Sequence, residues 1–393
     1  MINKAFPVLA MSIFACMLGS GIVVPLLPLY AEDLGAGGLW IGVVYASYPI
    51  ARVLATPIVG RISDRSGRKR YISIGLFIYG VVSFGFTLVT SAPQLVFLRL
   101  LHGVAGAMIL PVAQAYVGDI SPTGEEGKWM GYANAAFMGG FGFGPLLGGV
   151  LSEYLGMDAA FVAMGSLSII AFVIAIIFLP EITPQRSAAA YPSLRDMAKS
   201  TLMSGLISVR LALSMGMATF FAFLPVLAAN DLGLSASLIG TLVATYMLLS
   251  AVLAVPFGRI ADRLNRKILV VSGCVVSALF LFAVPSGQSF GTLLAIAVVG
   301  SIGSAITVPA ASALAVQVGR EYGMGFSIAL LSVAQSVGAA VGPIVGGAVA
   351  EYVSLNSAFL LGAVMSVFGA GVFVWLTRRS GWHDGLTHAD GLR

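Results

Sequence analysis

The chain has 393 residues, 58% of them hydrophobic and only 9% charged, with a net charge of +5. A soluble domain carries about 25% charged residues, so this composition cannot solvate a globular surface. Cys16 and Cys274 both fall inside apolar runs. They offer neither a disulfide framework nor a metal motif, and no metal or cofactor is expected.

Runs of about 20 apolar residues cross a bilayer core, and such spans must be helical because lipid cannot pair an open backbone. The sequence carries about twelve. The first, 6–30, is too long for the apolar core of a cleaved leader and is expected to stay as a membrane helix. Near its end Pro25 and Pro28 interrupt the helical ladder, either as a tolerated kink or as a bend shaping the mouth of a cavity. Glu32 and Asp33 follow at that mouth. The second span, 39–60, contains Arg52, which should face a packed interior or a wet cavity, because a cation facing lipid is costly.

Between the second span and the third, 71–90, lies Gly60-Arg-Ile-Ser-Asp-Arg-Ser-Gly-Arg-Lys-Arg70, read as a short charged loop. Asp64 sits there among Arg65, Arg68 and Lys69, beside Gly67, in a cluster that can latch two helix ends together. The fourth span, 93–118, places Arg99, His102, Gly103 and Gly106 on one helical face. Small residues beside two ionisable ones suit a packed interior with a polar pocket, although a lone His can equally be a hydrogen-bonded packing residue. Gln114 and Asp119 follow, with Asp119 in position to reach the basic loop. The fifth span, 128–154, carries Gly140, Gly144 and Gly148 as a four-residue ladder with Pro145 and Gly149, a surface another helix can approach closely. A sixth span, 157–180, ends the first half.

Residues 181–198 read as a polar linker. Six further spans follow at 199–229, 235–258, 268–286, 290–317, 325–352 and 356–377, then a polar tail over 378–393. Arg210 lies in the seventh. The charged stretch recurs 198 residues on as Gly258, Arg259, Asp262, Arg263, Arg266 and Lys267. The glycine ladder recurs as Gly342, Pro343 and Gly346, and the same offset relates Glu153 to Glu351, Pro111 to Pro309 and Asp33 to Asp231. A constant offset across six spans implies two parallel six-helix halves, 1–180 and 199–377. All of the 21 Lys and Arg except Arg52, Arg99 and Arg210 lie in alternate loops or at the termini. The intervening loops hold only Glu32, Asp33, Glu153, Asp158, Asp231 and Glu351. That split follows the positive-inside rule. It predicts a multi-pass protein of the cell (inner or plasma) membrane with both termini cytoplasmic, and it accounts for the basic balance without nucleic acid.

These motifs resemble those of the major facilitator superfamily, specifically its twelve-helix drug/proton antiporter branch. Gly60-X-X-X-Asp64-Arg65-X-Gly67-Arg68-Lys69 is similar to the family's loop 2–3 signature, and Arg99 with Gly103 and Gly106 to its fourth-helix arginine motif. Gly140-X-X-X-Gly144-Pro145-X-X-Gly148-Gly149 resembles the fifth-helix motif of exporters that work as antiporters, and Leu18-Gly-X-Gly with Pro25 and Pro28 the first helix of the drug/proton branch. The resemblance implies alternating access by two rocking halves, a small-molecule substrate, proton coupling and no cofactor. It implies that Asp64, Arg65 and Arg68 latch one state, that Arg99 lies by the proton or substrate path, and that the glycine-proline ladders let gating helices bend. The sequence departs from cation exporters in one respect: all 16 Asp and Glu lie in loops or at span ends. Arg52, Arg99, His102 and Arg210 remain as the intramembrane ionisable residues, a set that favours an anion or an amphiphile with a negative head. The proton carrier stays open between His102, Asp119, and Glu32 with Asp33.

A proton-coupled exporter acting as a monomer in the bilayer is the leading expectation. An anion or metabolite importer, or an uncoupled facilitator, is the first alternative; a lipid-translocating or receptor-like membrane protein is the second. Enzymatic activity is not expected, since no nucleophile, base and orienting group converge and no phosphate-cradling loop appears.

Overall fold

The computed structural model describes residues 2–122, 125–181, 200–261, 263–322 and 324–378. Among them are twelve helices long and apolar enough to cross a membrane. They are α1 (Ile2–Asp33), α2 (Gly38–Ser66), α3 (Arg68–Gly85), α4 (Ala92–Ile120), α5 (Glu126–Leu155) and α6 (Met157–Phe178), followed by α7 (Thr201–Asn230), α8 (Ala236–Ala261), α9 (Arg266–Ala283), α10 (Phe290–Tyr322), α11 (Met324–Tyr352) and α12 (Leu355–Thr377). The protein is an all-α, multi-pass membrane protein. Its outward side chains fit that solvent, since Leu54, Phe97, Ile177, Phe282, Phe368 and Trp375 are all exposed. On a water-soluble surface such patches would be a liability.

The repeat extends to details the apolar spans do not carry. A single 3₁₀ turn closes α3 at Phe86–Leu88 and another closes α9 at Val284–Ser286, again 198 residues apart. The charged stretch after the second span, however, is helix rather than loop. Helix α2 runs on to Ser66, Gly67 alone breaks the chain, and α3 starts at Arg68. The apolar run marks where the bilayer ends, while the helical ladder needs no apolar side chains and continues past it. Pro25 and Pro28 lie inside an unbroken α1, and Pro145 inside an unbroken α5.

The helices form two compact units. Of the described residues, the first holds those up to 181 with 221–244, and the second holds 200–220 with those from 245 to 378. Within the first unit α1 packs on α5, α2 on α4, and α3 on α4 and α6. Glycine sets the α1–α5 distance: a Cβ on Gly140 or Gly144 would lie 2.5 Å from the carbonyl oxygens of Phe14 and Leu18, and one on Gly148 2.9 Å from that of Ile22. Within the second unit the equivalent ladder does the same, with Gly338 against Leu211 O, Gly342 against Met215 O and Gly346 against Thr219. The core of that unit is built from Leu206, Val209, Val270, Cys274, Leu314 and Phe373.

Gly144→Val should therefore separate α1 from α5 and destabilise the protein by about 1–3 kcal/mol, the usual cost of overpacking. Gly131→Ala, at a position with no atom near its would-be Cβ, should be close to neutral. Thermal unfolding of both variants in detergent measures the contrast.

Candidate functional site

Three clusters of polar side chains interrupt the apolar helices, and each is assembled from residues far apart in sequence. The first lies where α2 turns into α3. Gly67 takes φ +93°, a conformation that favours glycine, and this turn folds Arg68 back under the helix ends. Arg68 is only 7% exposed. It donates from Nη1 to Asp64 Oδ1 at 3.0 Å and from Nε to Asp119 Oδ2 of α4. A buried guanidinium meets two carboxylates here, and the interaction ties α4 to the α2–α3 turn. Asp64 sits within the last turns of α2 rather than past its end.

Two contacts in this cluster have no signature in the sequence. The Glu181 carboxylate rests against Gly67, where a Cβ would collide with its Oε1. Tyr116 Oη donates to Pro180 O at 2.5 Å. The chain leaving α6 is thereby docked on the charged turn. Arg65 is exposed and forms no ion pair among the described residues, Lys69 is half-buried, and Gly60 has open space around it.

The second copy is built differently. Asp262 lies outside the described residues. Asn265 stands at the position equivalent to Gly67 and caps α9, its side chain accepting from Lys267 N at 3.0 Å and Ile268 N at 3.4 Å. Arg266 Nε donates to Ala261 O at 3.2 Å, and Arg263 is exposed. Gly258 falls in the last turn of α8. A side-chain cap replaces the left-handed glycine.

The second cluster lies well inside the first unit, between α2, α3 and α4. The Arg99 guanidinium sits over the Tyr48 ring, with Cζ 4.8 Å from its centroid, a cation–π placement. The His102 ring packs 3.7 Å from that of Tyr79, centroid to centroid, with Tyr48 and Phe86 edge-on at 5.8 and 5.6 Å. Tyr79 Oη donates to Cys16 O at 3.1 Å and shares a 3.0 Å hydrogen bond with Ser20 Oγ. Gly106 leaves room for Tyr48, whose Oη would lie 2.5 Å from a Cβ there. Arg52 is half-buried one turn along α2 from Tyr48. Gln114 is not part of this cluster, since 15 residues of helix put it about 22 Å along α4 from Arg99. Arg210 belongs to the second unit, where it is half-buried and its Nε has no hydrogen-bond partner among the described residues. Sequence pattern exposes the ionisable pair on α4 but not Tyr48 and Tyr79, which are single aromatics in apolar runs.

The third cluster lies at the acidic helix ends of the first unit. Glu32 Oε1 accepts from Asn230 Nδ2 at 2.7 Å, and Glu153 Oε2 accepts from Ser237 N at 3.0 Å. Asp33 is exposed, whereas Pro25 and Pro28 are buried in α1 rather than lining an open mouth. Glu32 and Asn230 are repeat equivalents, 198 residues apart. That relation was available from the sequence, but only to a search that compared unlike residues.

The family model of the Major Facilitator Superfamily matches residues 9–210 and 206–391. The chain belongs to the major facilitator superfamily. It is a membrane transporter of small molecules and not an enzyme. Among its relatives is an uncharacterised MFS-type transporter of Methanocaldococcus jannaschii, 28% identical over 373 residues, covering 93% of this chain and 96% of that one. Multidrug resistance protein 2 of Bacillus subtilis is 26% identical, covering 95% of this chain and 96% of its own. The quinolone resistance protein NorA of Staphylococcus aureus is also 26% identical, covering 88% and 90%. Solved structures share the fold. A bacterial homolog of the human lysosomal transporter Spinster aligns with a TM-score of 0.85 at 13% identity over 95% of this chain and 96% of its own. The human organic anion transporter MFSD10 aligns with a TM-score of 0.67 at 18% identity, covering 94% and 99%.

The Arg68–Asp119 pair gives a direct test of the first cluster. Asp119→Asn and Arg68→Gln should each destabilise the protein, by about 3–5 kcal/mol at most, because each strands a partner in a largely buried pair. The double variant should cost clearly less than the sum. Strict additivity in a double-mutant cycle of unfolding midpoints would show that the pair is not coupled.

Proposed function

We propose that this transporter is a proton-coupled exporter of small amphipathic molecules, preferring those with a negative head, and that it works as a monomer by alternating access. The observation that carries the charge preference is the inventory of ionisable groups within the membrane. Arg52, Arg99 and His102 in the first unit and Arg210 in the second are all cationic or able to become so, and every described carboxylate sits near a helix end. A cavity reached by such groups repels lipophilic cations and rewards an anion with charge-assisted hydrogen bonds. The export direction draws on the multidrug and quinolone resistance relatives. The antiport mechanism draws on the glycine-proline ladders of α5 and α11.

In this reading the halves 1–180 and 199–377 rock against one another, joined by the linker 181–198 and followed by the tail 378–393. Asp64, Arg68 and Asp119 form the latch of one state. Both termini are cytoplasmic in the cell membrane. His102, Asp119, and Glu32 with Asp33 are the candidate proton carriers. An importer or uncoupled facilitator is the second reading, favoured by the lack of a carboxylate deep within the spans.

Proteoliposomes under an imposed pH gradient test the whole reading. Anionic amphiphiles should drive proton flux and lipophilic cations should not. Arg52→Gln should weaken a negatively charged substrate by roughly 10- to 150-fold while sparing a neutral analogue, given about 1.5–3 kcal/mol for a hydrogen bond to a charged group. Asp64→Asn should lower turnover at equal expression. Transport of lipophilic cations alone would return the protein to an ordinary multidrug exporter, and substrate movement without proton flux would favour the facilitator.

The topology has its own check. A cysteine placed at Ala92 should react with an impermeant thiol reagent added outside intact cells, and one at Ser66 should be spared; the reverse pattern overturns the orientation.

A further inference from the structure

Four buried polar atoms in the second cluster find no hydrogen-bond partner among the described protein atoms: Arg99 Nε, both imidazole nitrogens of His102, and Tyr48 Oη. Arg99 is 6% exposed and His102 is fully buried. More than nine in ten buried polar groups find a partner, so four orphans on three adjoining side chains are a property of the place rather than of any one residue. Ser20 Oγ bonds to Tyr79 Oη, and a neutral hydroxyl beside Tyr48 would in any case not answer the charge of Arg99.

The charge is uncompensated as well. An arginine keeps its proton in proteins, so the layer cannot become neutral by giving it up. The next acid along α4 is Asp119, about 30 Å away along the axis and held by Arg68. The remaining described acids of the first unit, such as Glu32, Glu153 and Asp158, lie near helix ends. Tyr48 covers one face of the guanidinium and Tyr79 one face of the imidazole. A π face softens a cation but leaves an in-plane N–H unanswered.

The surroundings specify the missing partner. It must accept hydrogen bonds at once from a guanidinium, a phenol and the one N–H of a neutral imidazole, whose other nitrogen is itself an acceptor. It must carry a single negative charge to balance Arg99, and it must tolerate aromatic walls. The edge-on contacts of Tyr48 and Phe86 with His102, at interplanar angles of 71° and 72°, describe such walls, whose ring edges are positive. Water answers the hydrogen bonds but not the charge. A divalent oxyanion would overshoot the charge and lose far more hydration. We propose that Arg99, His102 and Tyr48 form a binding site for a small, weakly hydrated monovalent inorganic anion of the halide class. The halide would occupy the Arg99 layer and leave the half-buried Arg52 to meet the negative head of a transported molecule. The site does not rest on the exporter reading, because an importer with the same layer would hold the ion equally well.

The test uses the purified full chain in detergent, with sodium bromide, chloride, sulfate or gluconate at constant pH and ionic strength. Bromide and chloride should raise the unfolding temperature saturably over gluconate, and sulfate should not. Crystals grown in bromide should show an anomalous peak between Arg99 and Tyr48. Tyr48→Phe removes one hydroxyl and keeps the ring, and should weaken the halide response tenfold or more, the loss expected for a hydrogen bond to a charged partner. Arg99→Gln should abolish the response, while Lys128→Gln, at an exposed site, should leave it unchanged. Equal unfolding temperatures in bromide and gluconate would overturn the proposal. So would an undiminished response in Tyr48→Phe, which decides the matter even if Arg99→Gln fails to fold. Halide binding without proton flux would leave the site standing and remove only the exporter reading.

Discussion

Hydrocarbon cannot solvate a charge, and the arrangement of this transporter follows from how each charge avoids that cost. Most are moved out of the bilayer altogether, to the helix ends. Arg68 is kept but enclosed, its guanidinium divided between Asp64 of its own turn and Asp119 of α4. Arg99, Arg52 and Arg210 are left inside, and Arg99 is covered by an aromatic ring rather than a carboxylate. These three solutions leave different things behind: displaced charge needs no partner, paired charge ties α4 to the α2–α3 turn, and the charge of Arg99 keeps donors that no described side chain covers.

The two repeats show how little of a motif need be preserved for its geometry to survive. Gly67 makes the sharp α2–α3 turn through a left-handed backbone. At the equivalent position Asn265 adopts an ordinary backbone and caps α9 with its side chain. Both start the following helix at the same place, one by conformational freedom and one by a hydrogen bond. The α1–α5 and α7–α11 crossings, in contrast, use the same solution twice, because a close carbonyl approach leaves no alternative to a missing side chain.

Helix number, the repeat and the glycine crossings were legible in the sequence, since each is written in a period or an offset. Helix ends were less so. Arg61, Asp64 and Arg65 look like a loop by polarity, yet they continue α2, because polarity reports the membrane boundary and not the hydrogen-bond ladder. The ionisable face of α4 could be read from spacing, whereas its aromatic partners could not. Tyr48 and Tyr79 carry no periodic signal, and only the packing of α2 and α3 on α4 brings them to Arg99 and His102. The contacts of Glu181 with Gly67 and of Pro180 with Tyr116 were hidden for a related reason, as both residues follow the last apolar position of α6.

The hydrogen bond between Glu32 and Asn230 joins one position of the repeat to its own counterpart. In an assembly of two identical six-helix chains that position would meet itself, as two glutamates repelling or two asparagines pairing weakly. Fusion into one polypeptide lifts that restriction, because each copy can then hold a different residue. A carboxylate on one side and an amide on the other is a bond that strict symmetry forbids. The hydrogen bond therefore depends on the two copies of the repeat carrying unlike residues at this one position.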